Sequence, residues 1–179
     1  IAKSIVDMMG GTIQVESTVG EGSCFTVTVM FRLQNGGGTK EVRTVDITAL
    51  EGRTVLVVED NQLNLEIASA LLEDMGFRTD AAENGLVAVE KVKASALEEY
   101  ALILMDIQMP VMDGYQAAQA IRALPDPVKA SIPIIAVSAN TFEENMRKSM
   151  ESGMNAHLPK PIDLEDLTQT IGAILESSL

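Results

Sequence analysis

The chain has 179 residues, of which 46% are hydrophobic and 22% charged, and its formal net charge at pH 7 is −13. That apolar fraction excludes intrinsic disorder, and the acidic excess opposes nucleic acid and anionic membrane surfaces while favouring cations and basic partner faces. Cys24 is the single cysteine, which excludes an internal disulfide and suits a reducing compartment; no apolar run approaches the roughly 20 residues of a membrane span.

The chain opens at Ile1 inside a helical pattern and without an initiator Met, as expected of a fragment of something longer. Ile1, Ile5, Val6, Met8 and Met9 suit the last turns of an amphipathic helix that stops at Gly10-Gly11. Thr12 to Glu16 alternates, with Ile13 and Val15 expected inward, and Cys24 to Phe31 is rich in Phe, Val and Thr; both predict strands joined as a hairpin through Gly20 and Gly22. Cys24 is expected to be a small buried hydrophobe. Such a two-stranded ribbon cannot bury enough surface to be stable alone, and its edge is open to another chain. Gly36-Gly37-Gly38 predicts a flexible tether, Lys40 to Leu50 an extended piece, and a boundary falls within 34–52.

From Arg53 the pattern becomes strand then helix, repeated five times. Strands are predicted at Thr54 to Val58, Arg78 to Ala82, Ala101 to Met105, Ile132 to Val137 and Ala156 to Leu158. Helices are predicted at Leu63 to Met75, Gly85 to Lys93, Gly114 to Ala123 (capped by Asp113), Phe142 to Glu151 and Leu164 to Glu176 (capped by Asp163). The fold class is therefore α/β, a five-stranded parallel doubly wound sheet with a small N-terminal α+β fragment. Met105, Met109 and Met112 suit core and loop packing, and Glu98-Glu99 a solvated surface.

Four strand ends supply polar groups: Glu59 and Asp60, then Asp106, Ser138 and Lys160. An isolated strand-end Asp would be read as a cap, but here several polar ends converge. In the flavodoxin-like order 2-1-3-4-5 the first and third strands are neighbours at the switch point, where ligands bind. Three carboxylates brought together repel, and Mg²⁺ relieves this by taking oxygen ligands. Asp106 can then act as an oxygen nucleophile towards phosphorus, with Lys160 neutralising phosphoryl oxygens and the Ser138 hydroxyl donating a hydrogen bond.

Val-Leu-Val-Val-Glu-Asp-Asn, Leu-Met-Asp-Ile-Gln-Met-Pro-Val-Met-Asp-Gly, Ile-Ile-Ala-Val-Ser-Ala and Leu-Pro-Lys-Pro-Ile, in this order and spacing, resemble a response-regulator receiver domain over 53–179. The resemblance implies Asp106 as phosphoacceptor; Asp60, Asp106 and the backbone carbonyl of Gln108 as Mg²⁺ ligands; and Glu59 holding the metal through water. It also implies Ser138 as the switch hydroxyl, Lys160 as the phosphate-contacting cation, and a cis bond before Pro161. Glu59 stands where Asp is commoner and Ser138 where Thr is. His157 occupies the aromatic switch position, which implies a partly exposed ring on the signalling face. A phosphodonor histidine would instead sit on an exposed helix.

Ile-Val-Asp-Met-Met-Gly-Gly-Thr-Ile-Gln-Val-Glu-Ser and Gly20-Glu-Gly-Ser-Cys-Phe25 resemble the C-terminal end of a histidine-kinase ATP-binding domain over 1–33. The family's nucleotide-holding motifs are not among these residues, so no ATP site and no kinase activity are expected of this chain. Together the two resemblances imply the receiver of a hybrid sensor kinase, phosphorylated by the parent's phosphohistidine and passing the group to a histidine-phosphotransfer domain. They also imply a cytoplasmic domain whose parent is anchored in the inner membrane. A haloacid-dehalogenase-type phosphohydrolase also uses a strand-end Asp, but Gln108 stands where its second, acidic Asp would be. A pure docking module would lack the acidic pocket or the lysine.

Overall fold

The computed structural model describes residues 3, 6, 10–18, 20, 22–30, 52–139 and 143–177. The expected N-terminal helix (apart from Lys3 and Val6, which are helical), the glycine tether, the piece over 40–50 and the boundary within 34–52 lie outside the described residues. The chain divides into two compact units, Ile1–Val42 and Arg43–Leu179.

In the first unit, β1 (Thr12–Thr18) pairs antiparallel with β2 (Gly22–Thr28), from Thr12 opposite Thr28 to Thr18 opposite Gly22. Of the two residues expected inward, Ile13 is half-buried but Val15 is more than half exposed, as are Phe25 and Val27 on β2, and Cys24, expected buried, is exposed. A two-stranded ribbon has no second layer of its own, so alternation alone does not bury an apolar face.

The second unit runs β3 (Thr54–Val58), α1 (Gln62–Asp74), β4 (Arg78–Ala82), α2 (Gly85–Ala94), β5 (Tyr100–Asp106), α3 (Gly114–Arg122), α4 (Pro127–Ala130), β6 (Ile134–Ser138), α5 (Glu143–Glu151), β7 (Ala156–Pro159) and α6 (Leu164–Ser177). The sheet is parallel in the order β4-β3-β5-β6-β7, the predicted 2-1-3-4-5 arrangement. Short Val, Leu and Ile runs build it because both faces are covered. On one face Leu56, Val58, Ile103, Met105 and Ala136 pack on Val89 and Val92 of α2 and Ala118 and Ile121 of α3. On the other, Val55, Val57, Leu102, Leu104 and Val137 pack on Ala68 and Leu72 of α1 and Leu167 and Ile171 of α6. Met109 and Met112 pack, partly buried, against the first of these clusters.

Two local differences have simple causes. The strand expected from Ile132 begins at Ile134, because the Arg122 guanidinium takes the Ile132 carbonyl and Pro133 cannot donate to a ladder. The one-turn α4 was not expected; the Asp126 carboxylate accepts from Val128 N–H and Lys129 N–H, and Pro127 occupies the first helical position. No helix among the described residues is long and apolar enough to cross a membrane.

Candidate functional site

Parallel register brings the polar residues together. Val58 lies opposite Met105, so Glu59 and Asp106, the next residues, leave neighbouring strands side by side. Asp106 lies opposite Val137 and Ser138 opposite Pro159, so Ser138 and Lys160 follow on the other flank. The Lys160 N–H donates to the Ser138 carbonyl at 2.8 Å, and the Lys160-Pro161 peptide bond is cis.

At the centre, Lys160 Nζ donates to Glu59 Oε2 at 2.6 Å and to Asp106 Oδ2 at 2.8 Å. The other Glu59 oxygen accepts from Asn64 Nδ2 at 2.9 Å, and Asp106 Oδ1 accepts from the Gln108 N–H at 3.2 Å. Glu59 is 7% exposed and Asp106 6%, whereas Asp60 is exposed. Carboxylate oxygens of Glu59, Asp60 and Asp106 lie within 4.8 Å of one another, a hard-oxygen set of the kind that holds a divalent cation. Burial, aided by the Glu59 charge, pushes the Asp106 carboxyl above its ordinary range, although Lys160 and the Gln108 N–H pull the other way. Burial lowers the Lys160 ammonium, but the hydrogen bonds to Asp106 and Glu59 outweigh it and hold it above its ordinary value.

The loop after β5 is shaped to this cluster. Gly114 N–H donates to the Ile107 carbonyl at 3.0 Å, and a Cβ at Gly114 would collide with the Asp106 carbonyl oxygen. Asp113 caps α3 in a reciprocal arrangement with Gln116. This loop, Asp60, Ser138 and α5 line a cleft of about 580 Å³ that includes Gln108 and Lys148. Ser138 is buried beside it; His157, half-buried on β7, hydrogen-bonds Ser138 Oγ through Nε2 at 2.9 Å and Ser149 Oγ through Nδ1 at 3.0 Å. Glu59, Asp60, Asp106, Gln108, Ser138 and Lys160 thus converge, and His157 reaches the group through Ser138. Sequence reasoning missed Asn64 and Ser149. Asn64 carried a faint signal, three residues into the helix capped by Asn61; Ser149 carried none.

Because Asp106 titrates higher folded than unfolded, ionising it near neutral pH costs folding free energy, and the cost vanishes on acidification. Asp106→Asn is therefore expected to raise stability in metal-free buffer by about 1 kcal/mol, measured by urea unfolding at pH 7.

These features define a doubly wound α/β domain with an acidic, lysine-bridged cleft at the switch point of its sheet. The response regulator receiver domain family matches residues 55–172, and the chain belongs to it. Among curated relatives it is 33% identical over 174 residues to the sensor histidine kinase AruS of Pseudomonas aeruginosa, covering 97% of this chain and 17% of AruS. The chain spans between 4% and 17% of the length of the most similar curated relatives. A crystal structure of the receiver domain of the sensor histidine kinase PA1611 from Pseudomonas aeruginosa, with magnesium coordinated in its active-site cleft, matches at 35% identity. Its TM-score is 0.60, over 69% of this chain and 96% of that one. The receiver domain of Ssk1 from Saccharomyces cerevisiae, crystallised with the histidine phosphotransfer signalling protein Ypd1, matches at 32% identity and a TM-score of 0.61. That match covers 70% of this chain and 92% of that one. The chain is thus a receiver domain of the kind carried by hybrid histidine kinases in phosphorelays.

Proposed function

We propose that Asp106 is the phosphoacceptor of this domain and that the phosphoryl group arrives from a phosphohistidine. The observation that carries this reading is the Lys160 ammonium seated between Glu59 and Asp106 in a buried acidic cluster. An Asp106 carboxylate oxygen attacks phosphorus, an O–P bond forms, and the P–N bond of the donor breaks with its electron pair returning to the imidazole. Lys160 turns its ammonium from Asp106 to the phosphoryl oxygens, and the Ser138 hydroxyl donates to them once the group is attached. Glu59, Asp60, Asp106 and the Gln108 carbonyl would hold Mg²⁺, which supplies charge neutralisation for the phosphoryl oxygens when bound. The oxygen donor set fits that ion, and magnesium in the PA1611 receiver supports the choice.

On this reading the domain comprises 53–179, follows a linker over 34–52, and is fused to a kinase remnant over 1–33, a layout supported by the AruS alignment running through 97% of the chain. The parent is a hybrid sensor kinase whose own phosphohistidine serves as donor, and the group passes on to a histidine-phosphotransfer domain, as the Ypd1 complex of the Ssk1 receiver suggests. The receiver works in the cytoplasm, with the parent anchored in the inner membrane. A histidine-kinase core radiolabelled on its phosphohistidine and mixed with this chain and Mg²⁺ is expected to lose its label to the chain within minutes. Label that stays on the donor, or passes equally to the Asp106→Asn variant, would overturn the assignment.

A further inference from the structure

His157 is the only histidine in the chain, and both of its ring nitrogens are engaged. Ser149, fully buried on α5, donates its hydroxyl proton to the Asn145 carbonyl at 3.0 Å. Ser149 also hydrogen-bonds the Tyr115 side chain; with its one proton given to the Asn145 carbonyl, its oxygen accepts from His157 Nδ1, and Nδ1 carries the ring hydrogen. Burial lowers the ring's affinity for a second proton and favours the neutral imidazole. Nε2 is then a bare acceptor, and the hydrogen bond at 2.9 Å is donated by Ser138.

We propose that Ser149 is a positioning residue of the switch: it fixes the Nδ1–H tautomer of His157, and through that ring commits the Ser138 hydroxyl proton away from the phosphoryl site. This inference rests on the reading of Ser138 as the hydroxyl that meets the phosphoryl group. For Ser138 to donate to that group it must give up Nε2, so filling the acceptor site strips a donor from His157, whose other nitrogen is tied to α5. The connection between site and α5 is a chain of three hydrogen bonds in which each polarity is set by the next. A tautomer change anywhere along it changes how readily Ser138 can turn.

The single histidine makes the test direct, because its two ring nitrogens give the only imidazole signals in a long-range ¹H–¹⁵N spectrum of the ¹⁵N-labelled chain. Without phosphodonor, the wild type is expected to show a protonated Nδ1 and a bare Nε2. Ser138→Ala should keep that pattern, since Ser149 remains; Ser149→Ala should shift the ring towards Nε2–H. Amide spectra of the rest of the domain report whether the variants are folded, and the wild-type spectrum alone decides if one is not. An Nε2–H ring in the wild type, or an unchanged ring in folded Ser149→Ala, would overturn the proposal. With Mg²⁺ and acetyl phosphate, the Nε2 signal should move in step with phosphoryl uptake measured by intact mass; uptake without movement would also overturn it. No uptake would count against the acceptor reading, whereas the phosphodonor-free comparison still decides the role of Ser149.

Discussion

Lys160→Met is expected to destabilise the domain by about 3 kcal/mol at pH 7 and to abolish phosphoryl uptake. The ammonium bridges two carboxylates that are each about 7% exposed, lying 2.6 Å from one and 2.8 Å from the other. Removing one member of a buried ionic group leaves the rest uncompensated, typically costing about 3–5 kcal/mol; Lys160 is itself about a fifth exposed, so the lower end applies. The pH dependence has a definite sign. Without the cation, burial raises the Asp106 carboxyl further, so the folded state binds protons more readily than the unfolded one. The deficit relative to wild type should therefore shrink as the pH falls and be smallest below about 3, where carboxyls are largely protonated even in the unfolded chain. Urea unfolding of both proteins across that range measures it; a deficit that grows on acidification would contradict the assigned ion group.

Arg122→Ala is expected to cost a similar amount, about 3 kcal/mol, while leaving the acidic cluster intact. Its guanidinium donates to the carbonyls of Gly153, Ala130 and Ile132 and to Asn155 Oδ1, all at 2.8 Å. Those acceptors belong to the chain before β6 and the turn before β7, so one side chain on the last turn of α3 clamps the entries to two neighbouring strands. Burial lowers the guanidinium's proton affinity from its usual value, so the charge is held at a real solvation cost and repaid by these bonds. Truncation strands partly buried carbonyls that each lose a charge-assisted bond of about 1.5–3 kcal/mol, offset in part by water. Asn155 Oδ1 also accepts from Ile134 N–H at 2.9 Å, so the start of β6 should loosen with it. Hydrogen exchange at Ile134 and Asn155 should quicken more than at Val57 or Leu104.

The sheet was legible in the sequence because β3, β5 and β6 are short apolar runs closed by polar residues, and five strand segments at strand–helix spacing admit few topologies. The cluster of Glu59, Asp60, Asp106, Ser138 and Lys160 followed, since parallel register lines up strand ends. What stayed hidden depends on which side chains meet across long separations. Arg122 at a helix end looks like any solvated cation, and Ser149 like any polar residue in an amphipathic helix. Val15 and Cys24 misled for a different reason: alternation reports that a strand has an apolar face, not that another layer covers it. The α4 turn was masked by Pro125, Pro127 and Pro133, which read as loop until the Asp126 cap is seen.

The most direct test of the acceptor assignment is intact mass after incubation with acetyl phosphate, with and without Mg²⁺, for the wild type and Asp106→Asn. The wild type is expected to gain one phosphoryl group with Mg²⁺, and neither the metal-free sample nor the variant should gain any. An adduct on Asp106→Asn, or one that forms equally well in the presence of a chelator, would contradict it.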